Sequence, residues 1–483
     1  MLFLDLPAEL VSKILVYAVL SRGIKRAFRL RLVCKRFSED IQPAVFESRL
    51  LDSVYTYKLV STWCIQNDHG ASKFWHSYLV YRVRNKNLKP PQRRYLDIGL
   101  LAKRVCEETG ADLGPTIETL CWPALQQGTN PVCDYTLEHH PPRTDLELLC
   151  AAAYLNLIPL AERLLQDGHS PHSNGHLLPS PMELAALAGN AQMLEIFQDH
   201  MAEMEGVGSD RGVIFIDHWR GKDRKVGPAS IRGAAMRGDI AMVRLAVYPP
   251  SRAEPLSTDF IGEAFGNVDR YSSIGHPLSW AQNCTRDAGV YNYLESFFSE
   301  PSSLSLALAK PSPLSLALAK HARLGNLEMV RYLLDSGADI RGLSSRVGNP
   351  LVEACRRCHE DIVDLLLERG ADPNFDADDD SDGDEEITQG SNPLATAAAS
   401  GSLAIVRKLL RHGADLCHEH MGIEVGCLAL NSAVHLEHTE MVKFLVAAGV
   451  KLSINGEAIL QSALSQGLDS MVEVLRGEGT RVS

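Results

Sequence analysis

Four clusters in this chain have residue types and spacing that could do chemistry. Cys355, Cys358 and His359 form C-x-x-C-H, a spacing that attaches a c-type haem, or as C-x-x-C alone marks a redox or zinc site. Cys417-His418-Glu419-His420 gathers soft and borderline ligands in one short stretch that could catch a metal ion. Asp378-x-Asp380-x-Asp382-Gly383 spaces carboxylates like the opening of a calcium loop, but its twelfth position is Gln389, which cannot supply the bidentate carboxylate. The run from Asp376 to Glu386 is acidic throughout, so a solvated acidic insertion is the better reading. Gly206-Val-Gly208-Ser-Asp-Arg-Gly212 has one residue too many for a dinucleotide fingerprint, and neither a phosphate-binding Lys loop nor a His-Glu-x-x-His helix occurs. No second C-x-x-C completes a zinc site. The expectation is a protein without catalytic residues, metal or cofactor.

The elements that carry these clusters repeat. Gly337, Gly370, Gly413, Gly449 and Gly479 each follow a Val by seven residues (Val330, Val363, Val406, Val442, Val472) and a Leu by four (Leu333, Leu366, Leu409, Leu445, Leu475). Nine residues before the Val-equivalent position stands Ala in eight of nine copies: Ala152, Ala185, Ala234, Ala281, Ala354, Ala397, Ala433 and Ala463, with His321 the exception. A small residue on one helix thus faces a Val and Leu stripe on the next. Proline opens the first helix at Pro181, Pro277, Pro350 and Pro393, where a missing N–H costs nothing. In this register Cys358 falls in the slot used by Gly325 and Gly401, and Cys355 is a second small residue after Ala354, which argues against haem or redox chemistry. Leu304 to Lys310 and Leu314 to Lys320 duplicate one heptapeptide, an insertion expected to lengthen a helix or loop without adding a copy.

This pattern resembles the ankyrin repeat, over roughly Thr144 to Ser483 and most clearly in copies five to nine. The resemblance implies an α-solenoid whose stacked helix pairs bury a continuous core and present a concave face with projecting hairpins, a surface that binds proteins. Target-binding determinants are expected on the hairpin tips and concave face, at Arg346, Asn374, Asp378, Asp380, His418 and His420 within the stretches 341–349, 374–392 and 417–425.

The first fifty residues have another character. Asp5 can cap a helix with Pro7 and Glu9 in its first turn, and Leu10, Ile14 and Ala18 with Val11, Leu15 and Val19 form an apolar stripe. Leu30, Val33, Phe37 and Ile41 make a second. So little chain cannot bury a stable core alone, and an apolar helical partner is expected. The segment resembles an F-box, with its Leu-Pro-x-Glu, Ile-Leu and Leu-Arg-Leu-Val-Cys-Lys-Arg-aromatic elements, although Phe37 stands where Trp is frequent and Arg22 to Arg29 makes a long basic connection. The resemblance implies contact with the Skp-family adaptor of a cullin-RING ubiquitin ligase through Leu6, Pro7, Leu10, Ile14 and Leu15, with Val33, Cys34 and Phe37 completing the contact or the small core.

Composition bounds the rest. The 483 residues carry a net charge of -12, with 45% apolar and 22% charged residues, which excludes wholesale disorder. Residues 1–104 hold 19 Lys+Arg against 8 Asp+Glu, so an acidic remainder follows a basic head. Aromatics at Tyr55, Tyr57, Trp63, Phe74, Trp75, Tyr78 and Tyr81 interleave with that basic charge, as nucleic-acid readers do, but Trp75, Tyr78, Leu79 and Arg82 at helical spacing favour a buried stripe. The eleven cysteines without regular spacing suit a reducing compartment, cytoplasmic or nuclear, and neither a signal peptide nor a membrane span is evident. The reading is an all-α chain: an F-box-like head over 1–50, a helical extension over 51–109, a linker over 110–145 and about nine ankyrin repeats over 146–483. Its expected role is a substrate-receptor subunit, with a plain ankyrin scaffold or a nucleic-acid-associated regulator as alternatives.

Overall fold

The computed structural model describes residues 6–52, 69–85, 93–126, 144–204, 229–247, 275–298, 312–341, 348–376, 392–420, 422–450 and 452–482. It divides into two compact units, one of residues 1–48 with 305–483, the other of residues 49–304. Among the described residues the only sheet is one two-stranded hairpin, and no helix is long and apolar enough to cross a membrane.

In the first unit, α1 (Ala8–Phe28) packs on α2 (Lys35–Ser48) through a short 3-10 turn, Arg29–Leu32. Val11, Leu15, Val19 and Ala27 of α1 meet Ile41, Ala44 and Val45 of α2 in a dry core. Gly23, at φ 73° and ψ 167°, breaks α1 into two helical pieces. Two details depart from the sequence reading. Pro7 is the cap residue and not part of the first turn, and the stripe from Leu30 to Ile41 is not one face, because the 3-10 turn leaves Val33 65% exposed while Ile41 is fully buried; Asp5 lies outside the described residues.

The second unit begins with a three-helix layer, α3 (His69–Arg84), α4 (Arg93–Thr109) and α5 (Leu113–Ala124). Asp52 is its polar hub: it accepts from the hydroxyls of Tyr78 at 2.6 Å and Tyr95 at 3.2 Å and pairs with Arg82 at 2.8 Å. Trp75, Tyr78, Leu79 and Arg82 are all buried, as the helical spacing predicts. The presence of α5 corrects the linker assignment. Pro115 lies in its first turn, which tolerates proline, Pro123 sits inside its last turn and removes one backbone donor there, and Ile117, Leu120 and Cys121 are buried against neighbours.

Helix pairs follow: α6 (Thr144–Leu155) with α7 (Ile158–Gln166), α8 (Pro181–Ala188) with α9 (Ala191–Met204), α10 (Ala229–Arg237) with α11 (Ile240–Val247), and α12 (Gly275–Cys284) with α13 (Ala288–Glu295), all in the second unit. The first unit holds five more: α14 (Pro313–Leu324) with α15 (Leu327–Asp335), α16 (Pro350–Arg356) with α17 (Glu360–Glu368), α18 (Pro393–Ser400) with α19 (Leu403–Arg411), α20 (Val425–His435) with α21 (Thr439–Ala447), and α22 (Leu452–Ser465) with α23 (Asp469–Val482). Within each unit the first helix of one pair stacks on the first helix of the next. The small-residue positions from Ala152 to Ala463, His321 included, are all fully buried, and the Val and Leu positions are no more than 5% exposed. The second copy of the duplicated heptapeptide lies in α14; the first lies outside the described residues.

Capping explains the sharp starts. Asn349 accepts from the backbone N–H of Leu351 and Val352, and Asn392 does the same for Leu394 and Ala395, each immediately before a Pro at the first helical position. Pro181 also opens its helix, whereas α12 begins two residues before Pro277. Four residues after each small position the chain turns through left-handed backbone in eight of nine pairs, with Gly at five of those turns and Asn156, Cys358 and Glu437 among the others. Gly325 is doubly constrained there, since a Cβ would meet the ring of His359 at 2.6 Å.

Buried charge in the second unit makes its stability depend on pH. Glu147 on α6, 3% exposed, accepts from the backbone N–H of His176 and of Leu177, the latter at 2.9 Å, and fills the space beside Gly175. Burial outweighs those hydrogen bonds and lifts its carboxyl from 4.5 to about 7. The stability it allows is therefore fully present below pH 4.5 and lost as pH rises through 7, a difference of about 3 kcal/mol. Urea unfolding of wild type should weaken from pH 5 to pH 8, and Glu147→Gln should flatten that slope and be the more stable protein at pH 8. Parallel slopes for the two proteins would contradict this.

Candidate functional site

Two surfaces present themselves, one on the N-terminal helix pair and one on the loops and single hairpin described in the first unit. On the helix pair, Leu10, Ile14, Tyr17 and Leu20 stand 47%, 40%, 72% and 47% exposed, at spacings that put them on one side of α1. Leu32 and Val33 add to the exposed apolar surface from the adjoining turn. Of the expected adaptor contacts, Pro7, Leu10, Ile14 and Val33 are exposed, and Leu6, Cys34 and Phe37 are half-buried. Leu15 is a correction: it is 1% exposed and belongs to the pair's own core, so a partner cannot reach it. Sequence reasoning missed Tyr17 and Leu20, although successive steps of three residues from Ile14 could have located both.

The kinked end of α1 meets the repeats of its own unit. Arg22 pairs with Glu437, and Arg26 donates from Nε to the His435 carbonyl at 2.9 Å and from Nη2 to Gln466 Oε1 at 2.8 Å. Arg29 faces the same turn: burial pulls its pKa down, Glu437 raises it, and its charge helps hold the His438 imidazole at a pKa of about 4, mainly an effect of that ring's own burial. Nothing in the local sequence pattern signals this contact between residues more than 400 positions apart.

On the hairpin side, β1 (Glu419–His420) pairs antiparallel with β2 (Ile423–Glu424). Asp376, from the preceding loop, pairs with His420 Nδ1 and lies 3.6 Å from His418 Nε2. His420 is 4% exposed, so it holds two loops together and presents no face to a target, which corrects its assignment. Asn374 is similarly committed. Its Nδ2 donates to the Gly413 carbonyl at 2.9 Å and its Oδ1 accepts from the Asp415 N–H at 2.7 Å, tying one repeat to the next. His418 remains part-exposed, while Arg346, Asp378 and Asp380 lie outside the described residues. A groove of about 700 Å³ opens nearby, where the guanidinium of Arg407 lies 5.1 Å over the Phe444 ring beside Arg411 and Cys417.

No group of three or more His, Cys, Asp or Glu residues able to hold a metal occurs among the described residues. Cys355 is buried, and burial raises its thiol pKa; Cys358 occupies the left-handed turn, and His359 is hydrogen-bonded to the Arg323 carbonyl at 3.1 Å. All three serve the repeat geometry.

The stacked pairs, the left-handed turns and the hairpins agree with a family match: residues 306–377 and 394–483 fit the model for ankyrin repeats. This chain carries ankyrin repeats. An ankyrin array is a protein–protein interaction module. A stretch of 152 residues is 31% identical to the "Ankyrin repeat and KH domain-containing protein mask-1" of Caenorhabditis elegans, covering 31% of this chain and 5% of that protein. Another, of 126 residues, is 30% identical to the mouse "Inactive serine/threonine-protein kinase TEX14", covering 26% of this chain and 8% of that one. The matches therefore span less than a tenth of the length of these curated relatives. No F-box domain is detected in the chain.

Proposed function

We propose that this ankyrin-repeat protein is the substrate receptor of a Skp-cullin type ubiquitin ligase. The N-terminal helix pair holds the Skp-family adaptor, and nine ankyrin repeats, one for each helix pair, capture the protein to be modified. The observation that carries the reading is the division of labour on α1. Val11, Leu15 and Val19 complete the internal core, while Leu10, Ile14, Tyr17 and Leu20 leave an apolar stripe in water, which a soluble surface does not keep without a partner. The receptor acts by proximity, raising the effective concentration of its captured protein near a charged ubiquitin carrier, so no catalytic group is required of it.

Because Leu10 and Ile14 are exposed, Leu10→Glu with Ile14→Glu tests the reading without emptying the core. Wild type should retain purified Skp-family adaptor and cullin in a pull-down, and the double variant should lose at least about tenfold in adaptor affinity with an unchanged unfolding transition. Equal retention by both would remove the α1 stripe as the adaptor contact, and retention by neither would remove the receptor reading. The latter would leave an ankyrin scaffold without a ubiquitin role, an alternative that the family match, confined to the repeats, also fits. The nucleic-acid alternative is weakened by internal pairing of the basic region: Arg82 with Asp52, Arg84 with Glu118, Arg93 with Asp97 and Arg104 with Asp145.

A further inference from the structure

Glu437 occupies a left-handed backbone position, φ 55°, that the corresponding turns fill with Gly at Gly325, Gly401 and Gly467. A side chain there is less favourable than glycine, and at Glu437 an interaction offsets the cost. That interaction is visible. The Glu437 carboxylate is paired with Arg22, which immediately precedes the break at Gly23, and the next turn of α1 brings Arg26 onto the His435 carbonyl and the Gln466 amide oxygen. His435 Nδ1 also lies 2.9 Å from that amide oxygen, so the turns after α20 and α22 and the end of α1 share one hydrogen-bonded network.

We infer that the short turns of the last two helix pairs are a docking surface for the N-terminal helix pair, with Glu437 as its anchor and Arg22 and Arg26 as the matching cations. The partner is a segment of the same chain, recognised by charge complementarity: three arginines spaced 22, 26 and 29 against a carboxylate, a carbonyl and an amide oxygen. The break at Gly23 falls between Arg22 and Arg26, so the two arginines reach the turns from the two helical pieces of α1. Leu10, Ile14, Tyr17 and Leu20 stay open to water while the arginines are engaged. The docked head therefore keeps its apolar stripe available at a fixed place relative to the last repeats. On the receptor reading proposed above, this sets the distance between adaptor and captured protein by packing and not by a free tether.

Hydrogen exchange on the full chain tests the docking, because glycine at 437 separates the two roles of that residue. If Glu437 anchors the head, Glu437→Gly relaxes the turn yet speeds amide exchange across α1 about tenfold, with the amides of α20 to α23 as protected as before or better. Arg22→Met should give the same acceleration, and the double variant should be no faster than either single one. Unchanged α1 exchange in Glu437→Gly, or additive effects in the double variant, would overturn the docking. Adaptor retention measured on the same wild-type protein fails independently: lost adaptor binding with the exchange pattern intact removes the receptor reading and leaves the docking standing.

Discussion

Gly233→Ala should be among the most damaging single substitutions in this chain, a result opposite to the usual rule for glycine in a helix. Alanine in a helix interior is normally worth about 1 kcal/mol over glycine. Here a Cβ on Gly233 in α10 would run into the Glu183 carbonyl oxygen of α8 and lie 3.0 Å from the Leu187 nitrogen. Both obstacles are backbone, so no rotamer change relieves them, and the two helices must separate along a tightly stacked contact. Overpacking of this kind costs about 1–3 kcal/mol and more where backbone must shift, which exceeds the propensity gain. The control is Gly477→Ala in α23, where nothing lies within 4 Å of the added Cβ and the propensity term should win. Urea titrations should place Gly233→Ala well below wild type and Gly477→Ala at or slightly above it. A neutral Gly233→Ala would mean that α8 and α10 are less closely seated than described.

Glu183→Gln should be similarly severe for a different reason. Arg232 on α10 reaches back to Glu183 on α8 at 2.7 Å and lies 5.3 Å over the Trp280 ring on α12, so one guanidinium links three successive helix pairs. The side chains are 14% and 4% exposed. Burial alone would lower the pKa of Arg232, but the Glu183 carboxylate, with a smaller contribution from the Cys284 side chain, offsets it and keeps the group charged. Neutralising Glu183 leaves that charge buried without its counter-ion, at a cost of about 3–5 kcal/mol. Removing both charges, as Glu183→Leu with Arg232→Met, should recover most of the loss, because an apolar replacement of a buried pair is often close to neutral. A single Glu183→Gln as stable as wild type would show that water reaches the guanidinium.

How much of this was legible beforehand depends on the range over which each feature is encoded. The two rulers, a small residue and a Val-Leu stripe at fixed offsets, report the local packing of a helix pair, and every position they mark is buried. The prolines that open α16 and α18 were equally readable, but Asn349 and Asn392 beside them were placed in binding loops and are caps. The helix α5 was not, because proline was weighed as a breaker without regard to its place in the turn. The Glu183–Arg232 pair joins residues on either side of an insertion that breaks the repeat period, and no offset rule spans it. At the candidate sites, the stripe on α1 was half legible: periodicity found Leu10 and Ile14 but not Tyr17 or Leu20, and only packing against α2 separates Leu15, inside, from Leu10 and Ile14, outside. Asn374 and His420 were chosen for loop position, and hydrogen bonds to neighbouring loops turned them into fasteners.

The first unit is built from the two ends of the chain, with residues 49–304 threaded between them. During synthesis the N-terminal helices leave the ribosome long before the turn at Glu437 exists. At about 5–20 residues per second the intervening stretch takes roughly 20–80 s to make. Throughout that interval the arginines have no carboxylate to find, so the contact between α1 and the turns at His435 to Glu437 and Gln466 forms only once the last repeats have been made.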